Sequence, residues 1–141
     1  MKLEAQTTWY NELGSQMQIQ IDPTTGNITG QYTTNVGTGS GQYALVGQVD
    51  LVGSQNSNAI GFVVVWTNGT GSSEAVTTWS GQLINNGTIL TTWLLTAETA
   101  LPDTWKSTLV GQDVFTQNQP SKAEIDLRVK AGHNFSHPAS K

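Results

Sequence analysis

Polar and apolar residues alternate along most of this chain. In Gln16-Met17-Gln18-Ile19-Gln20-Ile21 the alternation is strict, and a period of 2 puts every second side chain on one face of a β-strand. Helical spacing is missing until the C-terminal segment. Turn-forming clusters interrupt the pattern: Asp22-Pro23 to Gly26, Gly37 to Gly41, Gly53 to Asn58, Asn68 to Gly71, Asn85-Asn86-Gly87 and Pro102-Asp103. Between them the pattern predicts eight strands, over 7–13, 16–22, 28–35, 42–51, 59–67, 75–84, 88–97 and 106–116. Thr, Val, Ile, Trp and Tyr dominate these spans, as half-buried pleated surfaces favour.

Short turns between consecutive strands imply an antiparallel meander, and eight such strands hide their edges best by closing on themselves. The expected fold is therefore all-β, an eight-stranded antiparallel up-and-down barrel. At eight strands the interior is just wide enough for side chains or one small ligand. After Pro120, the stretch from Ser121 to Lys130 predicts a helical turn or two, with Ser121 and Glu124 spaced as a capping box. Residues Ala131 to Lys141 read as a disordered tail. The chain thus divides into an N-terminal extension (1–6), a barrel domain (7–117) and a C-terminal segment (118–141) that is a short helix or a disordered tail.

Composition narrows the function. The 141 residues suffice for one domain. Thr, Ser, Asn and Gln make up roughly 38% of them, while 11% are charged. Five Trp, three Tyr and three Phe at a net charge of −4 mark a folded chain, not a disordered one. Six Lys and Arg against ten Asp and Glu leave no basic patch to neutralise several phosphates, which excludes nucleic acid as the main ligand. Cysteine is absent, so disulfides, zinc-thiolate sites and thiol nucleophiles are excluded together. No apolar run approaches the ~18 residues of a membrane span, and the start MKLEAQTTWY shows no apolar signal-peptide core, so no membrane partner is expected. The N-x-Ser/Thr sites at Asn27, Asn68, Asn86 and Asn134 arise readily by chance in a chain so rich in these residues.

Alternation also assigns faces. If Trp93 points inward, so do Thr91 and Leu95; Trp79 goes with Thr77 and Ala75, and Trp66 with Val64 and Phe62. Core filling alone accounts for any one Trp. Three of them beside inward Asn11, Ser15 and Thr77 resemble a pocket with an apolar wall and a few fixed polar groups. Asp113 shares parity with Leu109, Gly111 and Phe115, which turns its carboxylate inward. A buried lone carboxylate is costly unless hydrogen-bonded, so it accepts either from barrel side chains such as Asn11 or Trp93, or from a ligand N–H. Catalytic signals are poor. The two His, His133 and His137, fall in the tail, where a solvated role is expected, and Glu12 and Asp50 have the wrong parity or sit at strand ends. No triad, zinc motif, P-loop or dinucleotide fingerprint occurs. No catalytic residue, metal or cofactor is expected.

Four segments carry a match: Trp9-Tyr10-Asn11-Glu12-Leu13-Gly14-Ser15, Thr77-Thr78-Trp79-Ser80-Gly81, Thr92-Trp93-Leu94-Leu95-Thr96, and Trp105 to Asp113 (WKSTLVGQD). In order and spacing they resemble the avidin family, its streptavidin-type members most closely, from about Trp9 to Thr116. The resemblance implies a barrel that binds biotin without chemistry, as a homotetramer, and secretion from the cell. It implies that Asn11, Ser15 and Tyr32 donate to the ureido oxygen and that Asp113 and Thr34 accept the ureido N–H groups. Thr77 would approach the sulfur, and Trp66, Trp79, Trp93 and Leu95 would wall the ligand. Val36-Gly37-Thr38 would close as a lid, Ala75 would lie near the ligand carboxylate, and Trp105 would cover a neighbour's site. Thr34 and Ala75 depart from the Ser of the streptavidin-type pattern, and Gln112 from a His at a subunit contact. The rival readings are a lipocalin-like carrier of another small ligand, against which the inward polar set argues, and a purely structural domain.

Overall fold

The alternating segments pair in chain order and close into a barrel, β1 to β8, with every pairing antiparallel. The computed structural model describes residues 6–34, 41–52, 56–67 and 72–138. The strands are β1 (Gln6–Tyr10), β2 (Gln16–Ile21), β3 (Asn27–Thr33), β4 (Gln42–Val49), β5 (Ser57–Thr67), β6 (Ser72–Ile84), β7 (Thr88–Ala97) and β8 (Thr108–Thr116). A 3-10 helix, Leu101–Lys106, leads into β8, and one α-helix, α1 (Lys122–Lys130), follows it.

Strand ends shift by up to three residues from the sequence pattern, and two of the shifts have a clear physical reason. A first strand is predicted to reach residue 13, but β1 ends at Tyr10. The Asn11 side-chain oxygen accepts the backbone N–H groups of Leu13 at 3.0 Å and Ser15 at 2.9 Å, which folds 11–15 into a turn. Gly14 completes it at φ +81°, a conformation that costs glycine little. The eighth strand is predicted from 106 but begins at Thr108, because the segment led by Pro102 winds into the 3-10 helix.

Inward positions of the strands supply the core. Ile19, Ile28, Leu45, Val49, Phe62, Val64, Ile89 and Phe115 are buried there, with Trp66, Trp79 and Trp93. The parities expected around the three Trp hold throughout, since Thr91, Leu95, Thr77, Ala75, Val64 and Phe62 are all buried. Leu109, expected to share Asp113's inward face, is exposed at the start of β8. Gly111 has a packing reason: a Cβ there would stand 2.2 Å from Trp93 Cζ2, so only glycine lets that indole lie against β8.

The C-terminal segment departs most from expectation. Helix α1 forms under the anticipated capping box, with Ser121 Oγ accepting the Glu124 N–H at 3.1 Å and donating to the Glu124 carboxylate at 3.2 Å. Beyond it Gly132, at φ +82°, reverses the chain. His133 and Asn134, which follow, are exposed as a tail would be, but Ser136 and His137 are not: they are 1% and 3% exposed. Among the described residues, no helix is long and apolar enough to cross a membrane.

Candidate ligand-binding site

One mouth of the barrel is formed by the C-terminal ends of β3, β5 and β7 and the N-terminal ends of β6 and β8, together with the 11–15 turn. Strand parity aims Tyr32, Trp66, Thr77, Trp79, Trp93 and Asp113 into it, and all six are buried. The aromatic rings support one another. Trp79 stacks between Phe62 (centroids 4.9 Å, 19°) and Tyr32 (5.2 Å, 30°), and Tyr32 meets Trp66 edge to face at 5.6 Å.

Polar atoms run along this wall as a chain. Because its oxygen is committed to the turn, Asn11 presents its amide nitrogen, which donates to the Tyr32 hydroxyl at 3.3 Å. Trp66 Nε1 donates to Thr77 Oγ1 at 2.8 Å, and Trp79 Nε1 donates to Asp113 Oδ2 at 2.9 Å. The donor to the buried carboxylate is thus Trp79, where Trp93 and Asn11 were the candidates in sequence. Ser15 Oγ, Trp93 Nε1 and Asp113 Oδ1 are buried without a hydrogen-bond partner among the described residues. Native interiors leave few such atoms, and three at one mouth call for an explanation.

Burial pushes the Asp113 carboxyl up to about 7, helped by the nearby Glu12 carboxylate, against the Ser136 hydroxyl and the Trp79 N–H, which pull it down. Burial likewise raises the Tyr32 phenol, which therefore stays protonated as a donor. Strand parity gives Glu12 no place near Asp113. The turn at 11–15 breaks that parity, and the Glu12 carboxylate accepts the Val114 N–H at 3.0 Å and meets His133 Nε2 at 3.0 Å. The sign of the pH effect follows. The folded chain keeps the Asp113 proton to about pH 7 while the unfolded chain loses it near 3.8, so stability falls as pH rises across that window, by at most about 1.4 kcal/mol per pH unit. Chemical denaturation at pH 4.5 and 7.5 should show this fall in the unaltered chain and a smaller one in Asp113→Asn; equal falls in both would assign it to other groups.

Of the remaining residues expected at a ligand, Asn11, Ser15, Thr34, Ala75 and Leu95 are buried. Val36, Gly37 and Thr38 lie outside the described residues. Trp105 is 81% exposed on the 3-10 helix, with Lys106 Nζ 5.8 Å from its ring centroid, and so does not fold over its own barrel. Sequence reasoning missed Phe135, Ser136 and His137, which reach the mouth: Thr77 Oγ1 donates to the Ser136 carbonyl at 2.6 Å, and the His137 ring meets Trp66 at 6.1 Å. No pattern in the chain signals this. Among the described residues, no three His, Asp or Glu are grouped to hold a metal ion.

A closed barrel with aromatic walls and a set of buried polar atoms at one mouth is the architecture of a small-ligand-binding protein. Comparison with known sequences gives the family. The Avidin family matches residues 1–118. The chain is 33% identical to "Avidin" of Gallus gallus over 122 residues, covering 81% of this chain and 78% of the relative. It is 35% identical to "Avidin-related protein 4/5" of the same organism over 118 residues, covering 77% and 74%. The chain belongs to the Avidin family, and as a member it is a non-catalytic protein and not an enzyme.

Proposed function

We propose that this protein binds biotin, one molecule per barrel, in the mouth described above. The observation that carries the reading is the convergence of donors and acceptors matching a cyclic urea. Asn11 Nδ2 is oriented as a donor by its turn bonds, and Tyr32 is held as a phenol. Ser15 Oγ is buried and unpaired, as is Asp113 Oδ1. Asn11, Ser15 and Tyr32 donate to the ureido oxygen, and Asp113, with Thr34, accepts the ureido N–H groups. Thr77 faces the sulfur, Trp66, Trp79, Trp93 and Leu95 wall the bicycle, and Ala75 adjoins the ligand carboxylate. A rigid bicycle entering a preformed barrel loses little freedom, so the buried apolar area appears as affinity. Biotin is a ligand here and not a cofactor.

The assembly we propose is a homotetramer of a secreted protein. Leu94 pairs with Val110 and Leu90 with Val114 on the outer face of β7 and β8, and all four are exposed, as are Val46, Val65 and Leu109. A patch of this kind is unusual on a monomer. Closed symmetry makes a dimer of dimers the economical way to cover it, and Trp105 then reaches a neighbour's mouth. Titration with biotin should change Trp fluorescence at a stoichiometry near one, and light scattering should give a mass near four times 15.1 kDa. Absence of heat and fluorescence change, at micromolar biotin, in a chain freed of its C-terminal residues would remove the binding assignment. A monomer that binds tightly would remove the role of Trp105.

A further inference from the structure

The mouth that we read as a biotin site is already occupied by the chain's own C-terminal segment. Ser136 bridges its two polar walls. Its carbonyl accepts from Thr77 Oγ1 at 2.6 Å, its hydroxyl lies 3.5 Å from the Tyr32 hydroxyl, and Thr77 is in turn held by Trp66 Nε1 at 2.8 Å. His137 packs edge-on to Trp66, and the half-buried Phe135 ring lies parallel behind it, with centroids 5.0 Å apart at 5°. The approach is built too. Gly132 turns the chain back, Arg128 donates to the Glu12 carbonyl at 2.6 Å, and His133 meets the Glu12 side chain at 3.0 Å, all on the turn that carries Asn11 and Ser15.

We propose that residues Phe135-Ser136-His137 are an intramolecular peptide ligand of the barrel mouth, which competes with biotin for Thr77 and Tyr32 and is released when biotin binds. This rests on the biotin reading for the identity of the competitor. Two features favour a displaceable occupant over a permanent plug. The segment leaves Ser15 Oγ and Trp93 Nε1 buried and unpaired and reaches Asp113 only through the Ser136 hydroxyl, with Asp113 Oδ1 outside hydrogen-bond distance, so a molecule that satisfies all three binds the same walls better. The tether is short, because only Gly132, His133 and Asn134 separate Phe135 from Ala131, the C-cap of α1. A short tether gives a high effective concentration, which blocks weak ligands and lets strong ones through.

The test compares the full chain with two variants: Ser136→Asp combined with His137→Ala, which sets a carboxylate beside Asp113, and a chain ending at Gly132. Hydrogen exchange by mass spectrometry over residues 133–138 reads docking without any ligand, and stopped-flow Trp fluorescence reads biotin association. The expected result is that 133–138 are protected in the free full chain, are unprotected in the double variant, and lose protection on adding biotin. Association should be at least tenfold faster in both variants. Protection unchanged by saturating biotin, no protection in the free chain, or association rates within twofold would each overturn the inference while leaving biotin binding standing. A full chain that fails to bind while the variants bind supports it. Failure of all three chains to bind overturns the biotin reading and, with it, the competition.

Discussion

Trp79→Ala should lower the free energy of unfolding by about 3–5 kcal/mol, the range for removing a buried indole from a packed core. Trp79 is 1% exposed and sits between Phe62 at 4.9 Å and Tyr32 at 5.2 Å, so its loss opens a cavity across two ring stacks at once. It also removes the 2.9 Å bond to Asp113 Oδ2 and leaves both oxygens of that carboxyl without a described side-chain partner of this length. Trp79→Phe separates the two effects. It keeps a ring between Phe62 and Tyr32 but deletes the N–H, and should cost about 1–3 kcal/mol, the cost of orphaning one buried polar group. Denaturant unfolding at one fixed protein concentration measures both, since assembly contributes to apparent stability. A loss below about 1 kcal/mol for the alanine variant would mean that the barrel collapses around the gap and that the stack is not what holds the mouth open. Equal losses for Ala and Phe would place the whole effect in the hydrogen bond.

The barrel is legible because the signal that encodes it is strictly local. Period-2 alternation tells each strand which face is buried, and inward Trp66, Trp79 and Trp93 follow from it with Thr77 and Asp113. Short turns then fix the order of pairing. Alternation says nothing once the backbone leaves the strand, and it also weakens at a strand's first residues, where Leu109 is exposed against parity. Asn11 reads as a strand residue by alternation but is a turn residue whose side-chain oxygen replaces a ladder bond, and this brings Glu12 toward Asp113 against parity. Trp79 as the partner of Asp113 depends on barrel curvature, which brings β6 and β8 together across β7. The docking of Ser136 and His137 is a long-range contact, between residues 59 apart in the bond to Thr77, and carries no periodic mark at all. The run His133 to Pro138 after a glycine reads as tail because composition cannot tell a solvated segment from one whose partners lie elsewhere.

Asp113→Ala should weaken biotin by about 2–5 kcal/mol, the range for truncating one partner of a buried charged hydrogen bond, or about 30- to 5000-fold in affinity. Asp113 is fully buried, with one oxygen taken by Trp79 and the other unpaired, so a ureido N–H pairs the second oxygen without breaking the Trp79 bond. The alanine variant leaves that N–H buried against a methyl group. Asp113→Asn is the sharper comparison, because its amide oxygen still accepts one bond while the charge is lost, and it should fall between alanine and the parent. Proton release is the second readout. Burial raises the free carboxyl to about 7, whereas a ureido N–H favours the ionised form over the neutral one, so binding near pH 6 should draw the proton off. Calorimetry in two buffers of different ionisation enthalpy should show net proton release by the parent chain and none by either variant at this site. Full affinity in the alanine variant, or proton release that survives it, would make Asp113 a structural acceptor for Trp79 and move the N–H recognition to Thr34.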